Sequence, residues 1–413
     1  MFLNSRRTKP ERGQALIIIV LAMSALAGMA GLVIDGGNVF LDKRNAQNAA
    51  DSAALAAALT RGRGGANVAG AALDNAAQNG YDNNGSTNVV EVHYPPTDGP
   101  YKNNAEYVQV VITSNVKTYF ARVVGWRQLT NKVQATARTK TPEVREILNG
   151  QAVIALAPNS DCNNKKAFWV HGEATLDITG GGVFVNSANN QCAFLQNGSG
   201  SIRIRDNHQI NVVGGATIQK PQLLTPGVTV GVASTSYPPP FFMPKFSCGG
   251  SAVVSEDGTS MTAGSWDDVF PPPGVTNLES GTYCLGNGMD IVDNLDGSNV
   301  VFIIKDGDIH WNGSANIQLT APAKGEQKGL LIYVPMDNPN KIVLNAGEES
   351  NIRGTILAPA SELHLNGNDS KAGFKSQIIA YTIDVNGNSN VIINYKDDQN
   401  YNTLTMPEVQ LSE

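Results

Sequence analysis

The chain has 413 residues, enough for two or three domains. Only 16% are charged and the formal net charge is −6, which argues against nucleic acid as a partner, because phosphate binding wants a basic face. Glycine is abundant, at 42 residues, and Asn-Gly pairs punctuate strand-type runs through the C-terminal two-thirds; this suits a β-rich extracellular protein better than a cytosolic enzyme.

The first predicted element is a membrane span. Residues 15–34 read ALIIIVLAMSALAGMAGLVI without a charge. At ~1.5 Å per residue this run covers the roughly 30 Å hydrocarbon core of a bilayer. Arg6, Arg7, Lys9 and Arg12 precede it, opposed only by Glu11, so the positive-inside rule keeps residues 1–14 cytoplasmic and sends the rest outward. A cleaved signal peptide is the rival reading, with small residues at Ala25–Ala27 and Gly28–Ala30. Apolar character continuing through Leu32, Val33 and Ile34 favours retention. Within the span, Ser24 with Gly28 and Ala27 with Gly31 are small residues four apart, a spacing that lets membrane helices approach closely.

Next comes RNAQNAADSAALAAAL, residues 44–59, a helix written almost wholly in alanine. Alanine is the best helix former and buries little surface. At 100° per residue Ala46, Ala49, Ala50, Ala53 and Ala57 share one face, with Leu41, Leu55 and Leu59 roughly opposite. The methyl stripe is expected to meet another helix, in this chain or a partner, while the leucines pack on the helix's own domain. Gly62, Gly64 and Gly65 end this helix, and a second helix is expected over Ala66–Asn79, closed by Gly80. A turn at Asp82–Ser86 leads to strands at Val89–Tyr94 and Tyr107–Ser114, a helical turn near Phe120, and a strand over Leu129–Thr139. Helices followed by a small antiparallel sheet make 35–141 an α+β domain.

Residues 12–59, from the RGQA entry through the uncharged span and Val-Ile-Asp-Gly-Gly exit to the run Gln47–Ala56, resemble the N-terminal region of TadG-like and TadE-like proteins of the Tad (Flp) pilus-assembly system. The segment YVQVVITSNVKTYFARVVGWRQLTNKVQATART, with Tyr119, Phe120 and Gly125, is similar to the rest of that pilin-related domain. The resemblance covers about the first 140 residues and implies a pilin-like fold. It departs from prepilins at one place: were Gly13 a cleavage point, the fifth residue after it would be Ile18, where processed relatives carry glutamate. The Asp-x-Ser-x-Ser metal site of the von Willebrand-type domain found in some TadG-like proteins is absent from the sequence.

Beyond residue 142 the sequence turns to short strands: Val153–Leu156, Phe168–Val170, Thr175–Ile178, Val183–Val185, Ile202–Ile204 and Ile210–Val213. This stretch, 142–230, is expected to be a first β-solenoid portion. A Pro-rich connector, 231–280, carries Pro238–Pro240, Pro271–Pro273 and the aromatics Phe241, Phe242, Phe246 and Trp266, expected to cap a core. From 281 to 413 a loose repeat emerges. Asn345, Asn366 and Asn386 stand 21 and 20 residues apart, with Asn312 33 before Asn345, each at a turn. A period near twenty suits a parallel β-helix whose equivalent asparagines stack. An antiparallel β-sandwich is the alternative, because Asn-Gly also makes hairpins. All four cysteines lie here and none forms a CxxC pair, which disfavours zinc. Outside the cell two disulfides are expected. Of the three connectivities we adopt the nearest-neighbour one, Cys162–Cys192 with Cys248–Cys284; free thiols are the alternative.

No catalytic motif is evident. His310 and His364 precede comparable turns and are read as outward-facing coil residues. Asp290, Asp293, Asp296, Asp306 and Asp308 form the nearest acidic cluster, without a calcium-loop spacing. The whole is read as a non-enzymatic, single-pass protein of the bacterial cytoplasmic membrane with an extracytoplasmic C-terminal part and no cofactor or metal. Its expected role is to assemble, anchor or decorate a Tad-type pilus or related surface fibre. Expected partners are the membrane and other pilus or envelope proteins, with self-association through the span or the alanine stripe. The alternatives are a surface adhesin or glycan-binding scaffold on a membrane stalk, and a β-helical polysaccharide-active enzyme.

Overall fold

There is no proline between the apolar run and the alanine run, and the helix continues through the Gly36-Gly37 pair. Both belong to α1, Gln14–Gly62, 49 residues or about 73 Å long. The computed structural model describes residues 14–140, 143–163, 166–345, 349–366, 373–388, 390–404 and 407–412. They fall into two units, 1–142 with 407–413, and 143–406.

In the first unit α1 changes environment halfway. Residues 16–30 are all exposed, whereas Ala46, Ala49, Ala50, Ala53, Ala54, Ala57 and Ala58 are fully buried. Helix α2, Val68–Gln78, starts where the Asn67 side chain accepts the Gly70 N–H at 3.0 Å and packs Val68, Ala72 and Ala76 into the same core. Strands β1 (Asn88–His93), β2 (Tyr107–Lys117) and β3 (Gln128–Lys140) form an antiparallel sheet in that order. Buried and exposed residues alternate along most of β3, because one face meets the helices. The fourth strand is Glu408–Ser412, paired antiparallel with Thr136–Lys140. The solenoid expected to run to residue 413 therefore gives up its last residues, which complete the sheet of the first unit.

The second unit is mostly β, and its long sheets are built from parallel ladders. One face runs in the order Gly264–Trp266, Gly281–Leu285, Val300–Ile304, Leu330–Tyr333, the first parts of Thr355–Asn366 and Ile378–Asn386, then Val153–Ala155, Val183–Val185, Ile210–Val212 and Val228–Val230. A second face extends from Met289–Ile291 to Ala216–Ile218, and a third from Ser260–Met261 to Leu224–Thr225. The result is a parallel-β-helix-like region, and parallel pairing throughout these faces is not what an antiparallel sandwich would show. Inward Val, Ile, Leu and Phe side chains fill its interior, with Phe168 and Phe194 stacked 5.4 Å apart on successive coils.

The threading is not sequential. The first strand, Val153–Ala155, lies in the middle of its face, beside Ile378–Ala380 of the last coils. From there the chain builds coils outward to Val228–Val230, crosses to the opposite end, and builds coils back until Asn390–Asn394 pairs with Thr175–Thr179. The crossing is made by the Pro-rich connector. Asn186 holds its start through two bonds to the Thr235 backbone, at 2.8 and 3.0 Å. Further along, the Tyr237 hydroxyl donates to the Pro359 carbonyl, Phe246 meets Tyr333 edge to face, Cys248 is bonded to Cys284, and Ser251 bridges to Ser265. Seven inter-strand steps of ~4.8 Å make this path about 34 Å, well within reach of an extended segment of that length.

This strap explains a sequence feature. Segments such as VVFII and LLIY are apolar at every position, not at alternate ones. Their inward residues join the interior, while Val301, Ile303, Leu330 and Tyr333 point outward into a second apolar layer closed by Phe241, Tyr237, Met243 and Cys248. A strand buried on both faces loses its alternation.

Candidate functional site: the helix exit and an outward column

The last residue of the apolar run, Ile34, is followed by Asp35, which is only 3% exposed. Its carboxylate accepts three consecutive backbone N–H groups, from Tyr119 (2.8 Å), Phe120 (2.9 Å) and Ala121 (2.7 Å). Burial pushes this carboxyl upward, but the amides of Ala121, Tyr119 and Phe120 together outweigh it and hold the group below the ordinary carboxylate range. Seven residues on, two helical turns along the same face, Asp42 accepts from the Ser114 hydroxyl, from Asn131 Nδ2 (2.7 Å) and from the Tyr81 hydroxyl (3.2 Å). Burial and the Asp42 charge push the Tyr81 hydroxyl well above its usual range. The two carboxylates fix α1 to the β2–β3 end of the sheet. Sequence reasoning passed over both; a lone acid ending an uncharged run, with a second acid seven residues later, was the available signal.

Ala46, Ala49, Ala50, Ala53 and Ala57 continue that face. They lie against Val108, Val110, Ile112, Val133, Ala135 and Ala137 of the sheet and against α2. The stripe thus meets another helix within its own unit, but its main contact is a sheet; of the three leucines, Leu55 packs against that core as expected and Leu41 does not. Leu41 is 58% exposed, and Leu55 and Leu59 are half-buried. The physical reason is volume: the inner face of the sheet supplies the bulky side chains, so only methyl groups fit opposite. Of the small residues in the span, Ser24, Ala27 and Gly28 are exposed, the Ser24 hydroxyl donating to its own helix at Val20 O (2.8 Å). Gly31 is buried under Phe120, whose ring a Cβ at that position would meet at 2.6 Å.

In the second unit Cys162 is bonded to Cys192 and Cys248 to Cys284. The first pair ties loops of neighbouring coils, and the second staples the strap to the outer face of Gly281–Leu285. Asn345, Asn366 and Asn386 are register partners on successive coils, and extending the His310↔Val343 register by two brings Asn312 level with Asn345. These asparagines form one column at the turns. Beside it runs a second, outward column. His310 and His364 both belong to it, separated by Val343, and His310 Nδ1 lies 2.9 Å from Asp290. His364 contacts Glu362 (2.6 Å) and Asp384 (3.7 Å), and Asp384 also pairs with His171 (2.8 Å). Trp169 stacks on His171 at 3.5 Å and carries the Lys166 ammonium over its ring. Lys166, Trp169, Glu362 and Asp384, with Tyr237 and Tyr381, edge a groove of about 570 Å³. Among the described residues no three His, Cys, Asp or Glu side chains converge as a metal-ligand set. Asp306 and Asp308 cap turns instead, Asp308 accepting the Lys341 N–H at 2.8 Å. At Asp82–Ser86 the Asn84 side-chain oxygen, Oδ1, likewise accepts the Ser86 and Thr87 N–H groups of a turn.

An exposed apolar half-helix, joined without a break to a half-helix packed on a four-stranded antiparallel sheet, defines a class of proteins with a membrane-competent stalk and a small α+β head. Residues 13–61 match the Flp pilus-assembly TadE/G-like family model, and residues 46–137 match the Tad-like Flp pilus-assembly model. Together the two matches span about the N-terminal third of the chain, which is thus similar to Tad pilus-assembly proteins. No curated protein and no solved structure matches the chain.

Proposed function

We propose that this protein is a structural component of the cell envelope that assembles, anchors or decorates a Tad-type pilus or related surface fibre. In this reading residues 1–14 are cytoplasmic, the first half of α1 spans the inner membrane, and everything after Asp35 is extracytoplasmic. The observation that carries it is the family match over an α1 whose first half is uncharged and exposed, long enough to cross a bilayer, and whose second half is the core of a folded domain. Ser24, Ala27 and Gly28 offer a face for close contact with another membrane helix. The alanine stripe contributes to assembly indirectly, by holding the head on its stalk, since its own surface is consumed. Isolation of surface fibres by pull-down, with the mature N-terminus sequenced, tests this. Co-purification with pilus components and an N-terminus upstream of the span are expected. A mature start at Gly28 or Gly31 would sink the anchored reading, and a start at Gln14 would mean pilin-like processing.

A second reading, a glycan contact, is favoured by the groove at Trp169. Tyrosine and tryptophan rings beside Asp384, Glu362 and Lys166 combine apolar faces with hydroxyl-binding groups, as a saccharide requires. Glycan arrays probed with the full chain in detergent test it: binding should be lost in Tyr381→Ala.

A further inference from the structure

The hairpin joining β2 to β3 presents large apolar side chains to solvent. Tyr119 is 64% exposed, Phe120 48%, Val123 86%, Val124 75% and Trp126 65%. Five such residues within eight positions form a patch that a water-facing loop would not carry. The loop is also rigidly built. A 3-10 turn, Ala121–Val124, ends at Gly125 with φ 98, where a side chain would be strained. The Trp126 N–H returns to Ala121 O at 3.1 Å, and the Thr118 hydroxyl closes the neck on Trp126 O.

Its position supplies the reason. Asp35 fastens three of its amides to the end of the apolar run, and Phe120 lies over Gly31, one turn deeper, inside residues 15–34. One turn is about 5.4 Å along the helix. If residues 15–34 cross the bilayer, a side chain packed on Gly31 is below the membrane surface, and its apolar neighbours are level with that surface. Aromatic side chains favour that depth, and the exposed Arg122 and Arg127 flank the patch where lipid phosphates would lie.

We propose that residues 119–126 are a second, shallow membrane contact. The hairpin dips into the leaflet from which α1 emerges at Ile34, with Phe120, Val123, Val124 and Trp126 among the acyl chains and glycerol backbones and Arg122 and Arg127 at the phosphates. Two contacts, one spanning and one interfacial, fix the tilt and rotation of the head on the membrane. This inference rests on the reading of α1 as a membrane span.

All four cysteines are paired, so a single introduced cysteine can be labelled uniquely in the full chain. Nitroxide labels at Val20→Cys, Val124→Cys and Lys102→Cys report on the span, the hairpin and the opposite end of the sheet in vesicles of phosphatidylcholine and phosphatidylglycerol. Collisions with oxygen, which concentrates in lipid, are compared with collisions with a water-soluble nickel chelate. Labels at 20 and 124 should favour oxygen, with nickel accessibility at 124 several-fold below that at 102. If 20 is in lipid but 124 collides with nickel as 102 does, the hairpin contact is refuted and the span stands. Shielding of 124 from both reagents would mean that protein covers the patch, which also overturns the proposal. Nickel access at 20 would remove the span and the hairpin contact with it.

Discussion

Val153, in the first strand of the parallel faces, is the register partner of Ile378, near their last coil. Each covers an edge that the other would leave open, so the two ends of the segment meet in the middle of the stack. Neither half of the coils completes its neighbour's hydrogen bonds until the other has formed.

Ile378 is fully buried at that seam. Ile378→Ala should destabilise the unit by about 2–5 kcal/mol in urea titrations, the cost of a large-to-small change in a packed core. Hydrogen exchange should speed up together in 153–185 and in 355–386, although the two stretches are far apart in sequence. Loss of protection in only one of them would contradict the seam.

The strap should depend on its staple. Replacing Cys248 and Cys284 together by alanine removes a cross-link of sequence separation 36, worth about 2–4 kcal/mol in the chain-entropy account. Lys245 is exposed between Pro244 and Phe246, so limited trypsin digestion should begin after Lys245 in the variant and be slow in the parent.

The alanine stripe leaves no room for growth. Ala53→Leu inserts three carbons at a fully buried position and should cost roughly 1–3 kcal/mol, read as a lower midpoint of thermal unfolding of the first unit. Asn48→Leu, on an exposed part of the same helix, should leave the midpoint nearly unchanged.

The clamp at Asp35 sets a pH dependence. Its folded-state pKa is depressed, so the stability it provides is fully present above the unfolded value, near 4, and is lost only as pH falls through the lower folded value. Amide protection at Tyr119, Phe120 and Ala121 should therefore outlast titration of ordinary carboxylates and fail in stronger acid. Asp35→Asn, which points a donor amide at donors, should lose that protection at neutral pH as well.

Much of the architecture could be read before any coordinates. An uncharged run of twenty residues has one economical conformation in lipid, and short runs rich in β-branched and aromatic residues marked the coil strands at 153–155, 168–170 and 183–185. The asparagine spacing pointed to stacked coils because equal positions on equal coils must recur in sequence. Strands at Phe194–Gln196 and Ala216–Ile218 went unread, since three residues are too few to establish an alternating pattern.

Local chemistry thus determined the helix, its two characters, the short strands and their turns, because each depends on residues within a few positions of one another. Which surface the alanines meet, that Asp35 holds Tyr119, that Cys248 rides a strap along the outside, and that Val153 pairs with Ile378 were decided only by the tertiary structure. A methyl stripe fits a helix or a sheet equally well, and a parallel edge accepts any strand in register. Choosing among such partners takes the volumes and hydrogen bonds of segments far apart in sequence, more than two hundred residues in the case of Val153 and Ile378.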